Sequence, residues 1–114
     1  MQVRALVRAS AHGKLRVMIP MVTTLDELRW ARRVIREEQA RCAREGLAFD
    51  AALPVGTMIE VPAAAFVLDQ LGAEVDFFSI GSNDLLQYFA GADRANPRVA
   101  SRASKRRTIS CWVN

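Results

Sequence analysis

Glu60, Asn83, Asp84 and Arg94 are the side chains best suited to chemistry, because each carboxylate follows a short apolar run. Glu60 closes Val55-Gly-Thr-Met-Ile59, and Asn83-Asp84 follow Asp76-Phe-Phe-Ser-Ile80 through Gly81-Ser82. Carboxylate oxygens at such positions can hold a hard cation, and Asn83 and Asp84 can equally cap the helix that follows. Arg94 comes about three helical turns after Asp84, so its guanidinium can return toward a phosphate if the chain turns at Gly91. Glu60 has a structural use too, as a helix-start carboxylate favoured by the macrodipole.

These residues need a scaffold that brings strand ends together. Val3, Leu6, Val7 and Ala11 have helical spacing up to Gly13, and Leu15 to Pro20 reads as a strand ended by its proline. Thr24-Leu-Asp-Glu27 has the capping-box pattern. Leu28, Ala31, Ile35 and Cys42 continue an apolar stripe to Gly46, which predicts a long amphipathic helix. Its charged residues, among them Arg32, Arg33, Arg36, Glu37, Glu38 and Glu45, read as a solvated face. Strands are expected at Val55 to Glu60 and Asp76 to Ile80, and helices at Pro62 to Leu71 and Asp84 to Ala90. The alternation implies an α/β fold with parallel strands and right-handed crossovers. It also puts Glu60 and Asp84 at carboxyl ends of strands, where such folds place their sites.

Composition narrows the function classes. About half of the 114 residues are apolar, as in a globular domain. The net charge of +4 is concentrated at one end: residues 95–114 hold Arg98, Arg102, Lys105, Arg106 and Arg107 and no acid, leaving the rest nearly neutral. A short basic tail does not make a nucleic-acid-binding face, so no nucleic-acid partner is expected. Cys42 and Cys111 form neither a Cys-x-x-Cys pair nor a disulfide framework, which suits a reducing cytoplasm. No apolar run approaches the roughly 20 residues that cross a bilayer, and the start lacks signal-peptide architecture, so membrane insertion is not expected. His12, at a helix end before Gly13, reads as a surface histidine, and Cys42 as a small core residue.

Ser79, Gly81, Ser82, Asn83, Asp84, Leu85, Gln87 and Arg94 together resemble the signature of the phosphoenolpyruvate-utilising enzymes. Met58-Ile-Glu-Val-Pro-Ala-Ala64 is similar to the element that precedes that signature. The resemblance runs from about Val3 to Ala100. It is greatest to the branch that passes phosphate from phosphoenolpyruvate to a carrier protein in bacterial sugar uptake; the dikinase and synthase branches share the site. The family fold is a (β/α)₈ TIM barrel of roughly 250 residues, of which about three βα units would be present here. The resemblance implies that Glu60 and Asp84 hold Mg²⁺ and that Asn83 and Arg94 contact the phosphoryl group. It further implies phosphoenolpyruvate as substrate, a phosphocarrier protein reached through a separate N-terminal domain, and a homodimer in the full-length protein.

The family's earlier substrate-binding arginines, its catalytic cysteine and its phosphorylated histidine have no counterpart in the matched letters. Residues 1–100 are therefore expected to be a fragment of the phosphoenolpyruvate-binding barrel domain. Residues 101–114 are expected to be a basic, poorly packed tail outside the family pattern. A truncated or frame-shifted reading, with a non-catalytic product, or a short variant with its own tail, would produce this change.

Overall fold

The computed structural model describes residues 2–91 and the pair 112–113. The longest element is built from signals confined to its own sequence. Helix α2 spans Leu25–Arg44, and its N-terminus is a complete capping box: Thr24 Oγ1 accepts from the Glu27 N–H at 3.3 Å, while Glu27 Oε2 accepts from the Thr24 N–H at 3.1 Å. At the other end Gly46 takes φ 68. The Gly46 N–H then donates to the Ala43 carbonyl and the Leu47 N–H to the Cys42 carbonyl, a Schellman closure. The apolar stripe between these caps buries Leu28, Ile35 and Cys42. Leu28 and Ile35 each contribute about 1.5–3 kcal/mol when fully buried.

Helix α1, Gln2–Ala9, precedes α2 and packs on it through Val7; a 3₁₀ turn, Ser10–His12, follows. Strand β1 is Val17–Ile19, β2 is Val55–Ile59 and β3 is Phe77–Ile80. They lie side by side in that order, all parallel, with Met18 opposite Gly56 and Met58 opposite Ser79. The predicted alternation is thus realised as an α/β sheet of adjacent parallel strands. Two apolar clusters fasten helices to it. Val7, Ile35, Cys42, Leu53 and Val55 form one, and Val22, Leu28, Ile59, Ala64 and Leu71 the other. Of these three strands only β2 is buried along nearly its whole length; β3 buries Phe77 and Ser79 and exposes Ile80.

Two expectations are corrected. The helix expected over Pro62 to Leu71 is two short ones, α3 (Pro62–Ala65) and α4 (Leu68–Gly72). Between them the Phe66 and Val67 N–H groups bond only three residues back, to Ala63 and Ala64, and Val67 leaves the helical region with ψ 19. Ala64, Val67 and Leu71 still reach the core, while Phe66 stays exposed. Helix α5, Ser82–Ala90, starts ahead of Asp84, with Gly81 at the cap and no side-chain cap bond. Asn83 and Asp84 are thus inside the first turn and do not cap it. Of the tail expected over residues 101–114, only Trp112–Val113 are described, the others lying outside the described residues; this pair forms strand β4, antiparallel to β3, with Trp112 opposite Ser79 and Val113 opposite Phe78. Unpaired backbone on a sheet edge accepts any extended segment that can supply the complementary bonds, whatever its side-chain pattern.

Candidate functional site

Glu60 leaves the carboxyl end of β2 with only 5% of its surface exposed. Burying a carboxylate is expensive unless it is paired and hydrogen-bonded. One partner is a backbone group: the Met21 N–H, just beyond β1, donates to Glu60 Oε1 at 2.7 Å. No cationic side chain pairs with Glu60 among the described residues.

The neighbouring strand end closes on the same carboxylate. The Gly81 N–H donates to the Ile59 carbonyl at 2.9 Å, extending the β2–β3 ladder to the edge. A methyl group at Gly81 would lie 2.8 Å from Glu60 Cβ, 3.1 Å from Met58 Sδ and 3.3 Å from Glu60 Oε2. Glycine is required here because the Glu60 stem occupies that space. Gly81 also starts α5, whose first turn carries Asn83, exposed, and Asp84, half-buried. The N–H groups of that turn have no intrahelical acceptors and make the helix end a favourable place for negative charge.

Glu60, Asn83 and Asp84 therefore come together at one edge of the sheet, as the alternation of elements predicts. Arg94 lies outside the described residues, as does Cys111. His12 is exposed at the end of its 3₁₀ turn, and Cys42 is fully buried in the core. No group of three or more His, Cys, Asp or Glu side chains converges among the described residues. A donor set of one or two carboxylates suits a hard divalent cation that keeps water and substrate oxygens in its shell, and not a closed four-ligand cage. A buried carboxylate lacking a cationic side-chain partner fits such an ion.

Two site features escape sequence reasoning. Met21 adopts φ 55, and it alone among non-glycine residues has positive φ in the described structure. Nothing in Pro20-Met-Val22 signals this, since methionine has no preference for that region. Gly81 is visible as a turn residue, but its close approach to Glu60 depends on the register of two strands.

This arrangement of parallel strands, with carboxylates at their carboxyl ends, belongs to a defined class. The family model described as "PEP-utilising enzyme, PEP-binding domain" matches residues 1–110, and the chain belongs to that family. Among curated proteins it is similar to the phosphoenolpyruvate-protein phosphotransferases of Geobacillus stearothermophilus (54% identical) and Streptococcus equinus (54%). The enzyme of the same name from Enterococcus faecalis is 52% identical. Each alignment covers 99 residues, which is 87% of this chain and 17% of the relative. The chain thus spans about a sixth of the length of these relatives. Among the described residues, no helix is long and apolar enough to cross a membrane.

Proposed function

We propose that this chain carries part of the phosphoenolpyruvate site of a phosphoenolpyruvate-protein phosphotransferase. Its place is the face of a (β/α)₈ barrel where strand ends meet. The carrying observation is Glu60: a buried carboxylate without a cationic side-chain partner among the described residues, beside the helix turn that holds Asp84.

In this reading Glu60 and Asp84 hold Mg²⁺, which when bound neutralises charge on the substrate's carboxylate and phosphate oxygens. The Asn83 amide donates to a phosphoryl oxygen. The Arg94 guanidinium suits two such oxygens at once and offsets their negative charge. The phosphate acceptor is a histidine reached through another domain, then a carrier protein in sugar uptake, with the protein working as a cytoplasmic homodimer. Because phosphoryl transfer depends on several positioned groups acting together, this chain alone should not turn over phosphoenolpyruvate at a useful rate.

Calorimetric titration of Mg²⁺ and phosphoenolpyruvate tests the assignment. Asp84→Ala should lose Mg²⁺ binding. Arg94→Lys should keep Mg²⁺ affinity and weaken phosphoenolpyruvate, because a lysine cannot make the two-pronged contact. Equal loss of Mg²⁺ binding in both variants would overturn these roles.

A further inference from the structure

The backbone at Met21 is held in a conformation that its own side chain does not explain. At φ 55 it lies in the left-handed region, which disfavours every residue with a Cβ. Packing compensates little, because Met21 is 46% exposed. Strain of this kind persists only where flanking structure over-determines it.

Here the flanks are fixed on both sides. Pro20 limits the backbone before Met21 to its own narrow φ. After it, Val22 is 2% exposed in the core, and the Thr23 N–H donates to Glu27 Oε2 at 2.8 Å as part of the start of α2. What the strained conformation presents is the Met21 N–H, aimed across 39 residues of sequence at Glu60 Oε1. With Oε1 so engaged, Oε2 is turned to the side of Gly81, 3.3 Å from where a methyl group would stand.

We infer that Met21 is a positioning residue: its left-handed backbone fixes the Glu60 carboxylate, occupying one oxygen and leaving the other for a divalent cation at the α5 edge. The inference rests on the cation reading above, but the hydrogen bond can be tested apart from it. Backbone partners of metal-ligating side chains set ligand orientation, and their loss typically lowers metal affinity by about 10–100-fold.

The test uses the whole chain and compares Met21→Gly with Met21→Val. Both variants keep the N–H, but glycine accepts positive φ and a β-branched valine does not. The metal-free readout is the residue-21 amide, its proton shift and its hydrogen exchange by NMR, with Glu60→Ala as the reference for a lost bond. The metal readout is Mn²⁺ affinity by electron paramagnetic resonance. Met21→Gly should retain amide protection and bind Mn²⁺ within about twofold of the parent. Met21→Val should lose amide protection and bind Mn²⁺ about 10-fold or more weakly, with unchanged far-ultraviolet dichroism.

Retention of the amide bond in Met21→Val, or its loss in Met21→Gly, would overturn the backbone role. Loss of the bond with undiminished Mn²⁺ affinity would overturn the link to the ion. A parent that binds no Mn²⁺ while its residue-21 amide is protected would overturn the cation reading and uphold the hold on Glu60.

Discussion

Substituting Gly81 by alanine adds one methyl group at the point where two strand ends converge, and its consequences follow from distances already given. The new Cβ would stand 2.8 Å from Glu60 Cβ and 3.1 Å from Met58 Sδ. Gly81 itself has φ −84 and ψ 77, so backbone conformation is not what forbids alanine. Relief must come from moving Glu60, which is buried and tied to Met21, or from opening the Gly81 to Ile59 hydrogen bond. Overpacking of this kind costs about 1–3 kcal/mol. With a urea m-value of about 1–3 kcal/mol/M, the unfolding midpoint should fall on the order of 1 M. The control is Gly13→Ala, where a methyl group would meet nothing within 4 Å, and its midpoint should be unchanged. Urea unfolding followed by tryptophan fluorescence measures stability, and Mn²⁺ titration of the folded variant measures displacement of Glu60. Coincident unfolding curves for the parent and Gly81→Ala, with equal Mn²⁺ affinity, would refute the claim that Gly81 and Glu60 are mutually constrained.

Thr24→Ala should destabilise the chain by about 1 kcal/mol through loss of the α2 cap, visible as a lowered urea midpoint with unchanged slope. Glu27 titrates below the ordinary carboxylate range, chiefly because the Thr23 N–H bonds its charged form, with the Thr23 hydroxyl and the Thr24 N–H adding to the effect. Its depressed folded pKa means that its contribution is complete above the unfolded carboxylate value and is lost as pH falls through the folded one. Glu27→Gln should therefore flatten the acid limb of a stability–pH curve and leave the slope above neutrality unchanged. Trp30, Phe66, Tyr88 and Phe89 are large exposed apolar residues, so the isolated chain should self-associate, read as a sedimentation coefficient that rises with concentration. A sharply unfolding monomer at high concentration would contradict that.

What could be read from the sequence is whatever local residues decide. The capping box at Thr24, the stripe through Leu28, Ile35 and Cys42 and the stop at Gly46 all lie within one helix, and α2 has those limits. The meeting of Glu60 with the Asp84 turn was legible as well, because parallel strands joined by helices put all their carboxyl ends on one side. The unread features depend on contacts between distant segments. Helix α5 starts at Ser82 because the Gly81 N–H is held by Ile59, and a pattern centred on Asn83-Asp84 does not encode that bond. The split of Pro62 to Leu71 is likewise unread: Ala64, Val67 and Leu71 have the spacing of one helical face and all reach one cluster, while the backbone breaks at Val67. The pairing of Trp112–Val113 with β3 is a backbone ladder between distant segments, and backbone groups carry no sequence signature.

The relation between the core and the site can be followed through one further glycine. A methyl group at Gly56 would lie 2.5 Å from both the Phe77 carbonyl oxygen and its ring, so the backbone of β2 touches β3 at that point. Phe77 is itself fixed, 6% exposed in the interior with the Arg16 guanidinium 5.7 Å over its ring. At the entry to both strands, Asp76 Oδ2 accepts the Val55 N–H at 2.8 Å while the Asp76 N–H donates to the Val55 carbonyl at 2.9 Å. A slip of one residue would set Val55 or Thr57 against Phe77, a clash that only Gly56 avoids, and would turn every side chain of β2 to the opposite face. The observed register has a direct consequence at the other end of the strands, where it sets Ile59 opposite Ile80 and so brings Glu60 against Gly81. Carboxylate placement is thus determined about four residues away from the site, by a packing contact with no chemistry of its own, while Met21 trims the final orientation from the side of β1.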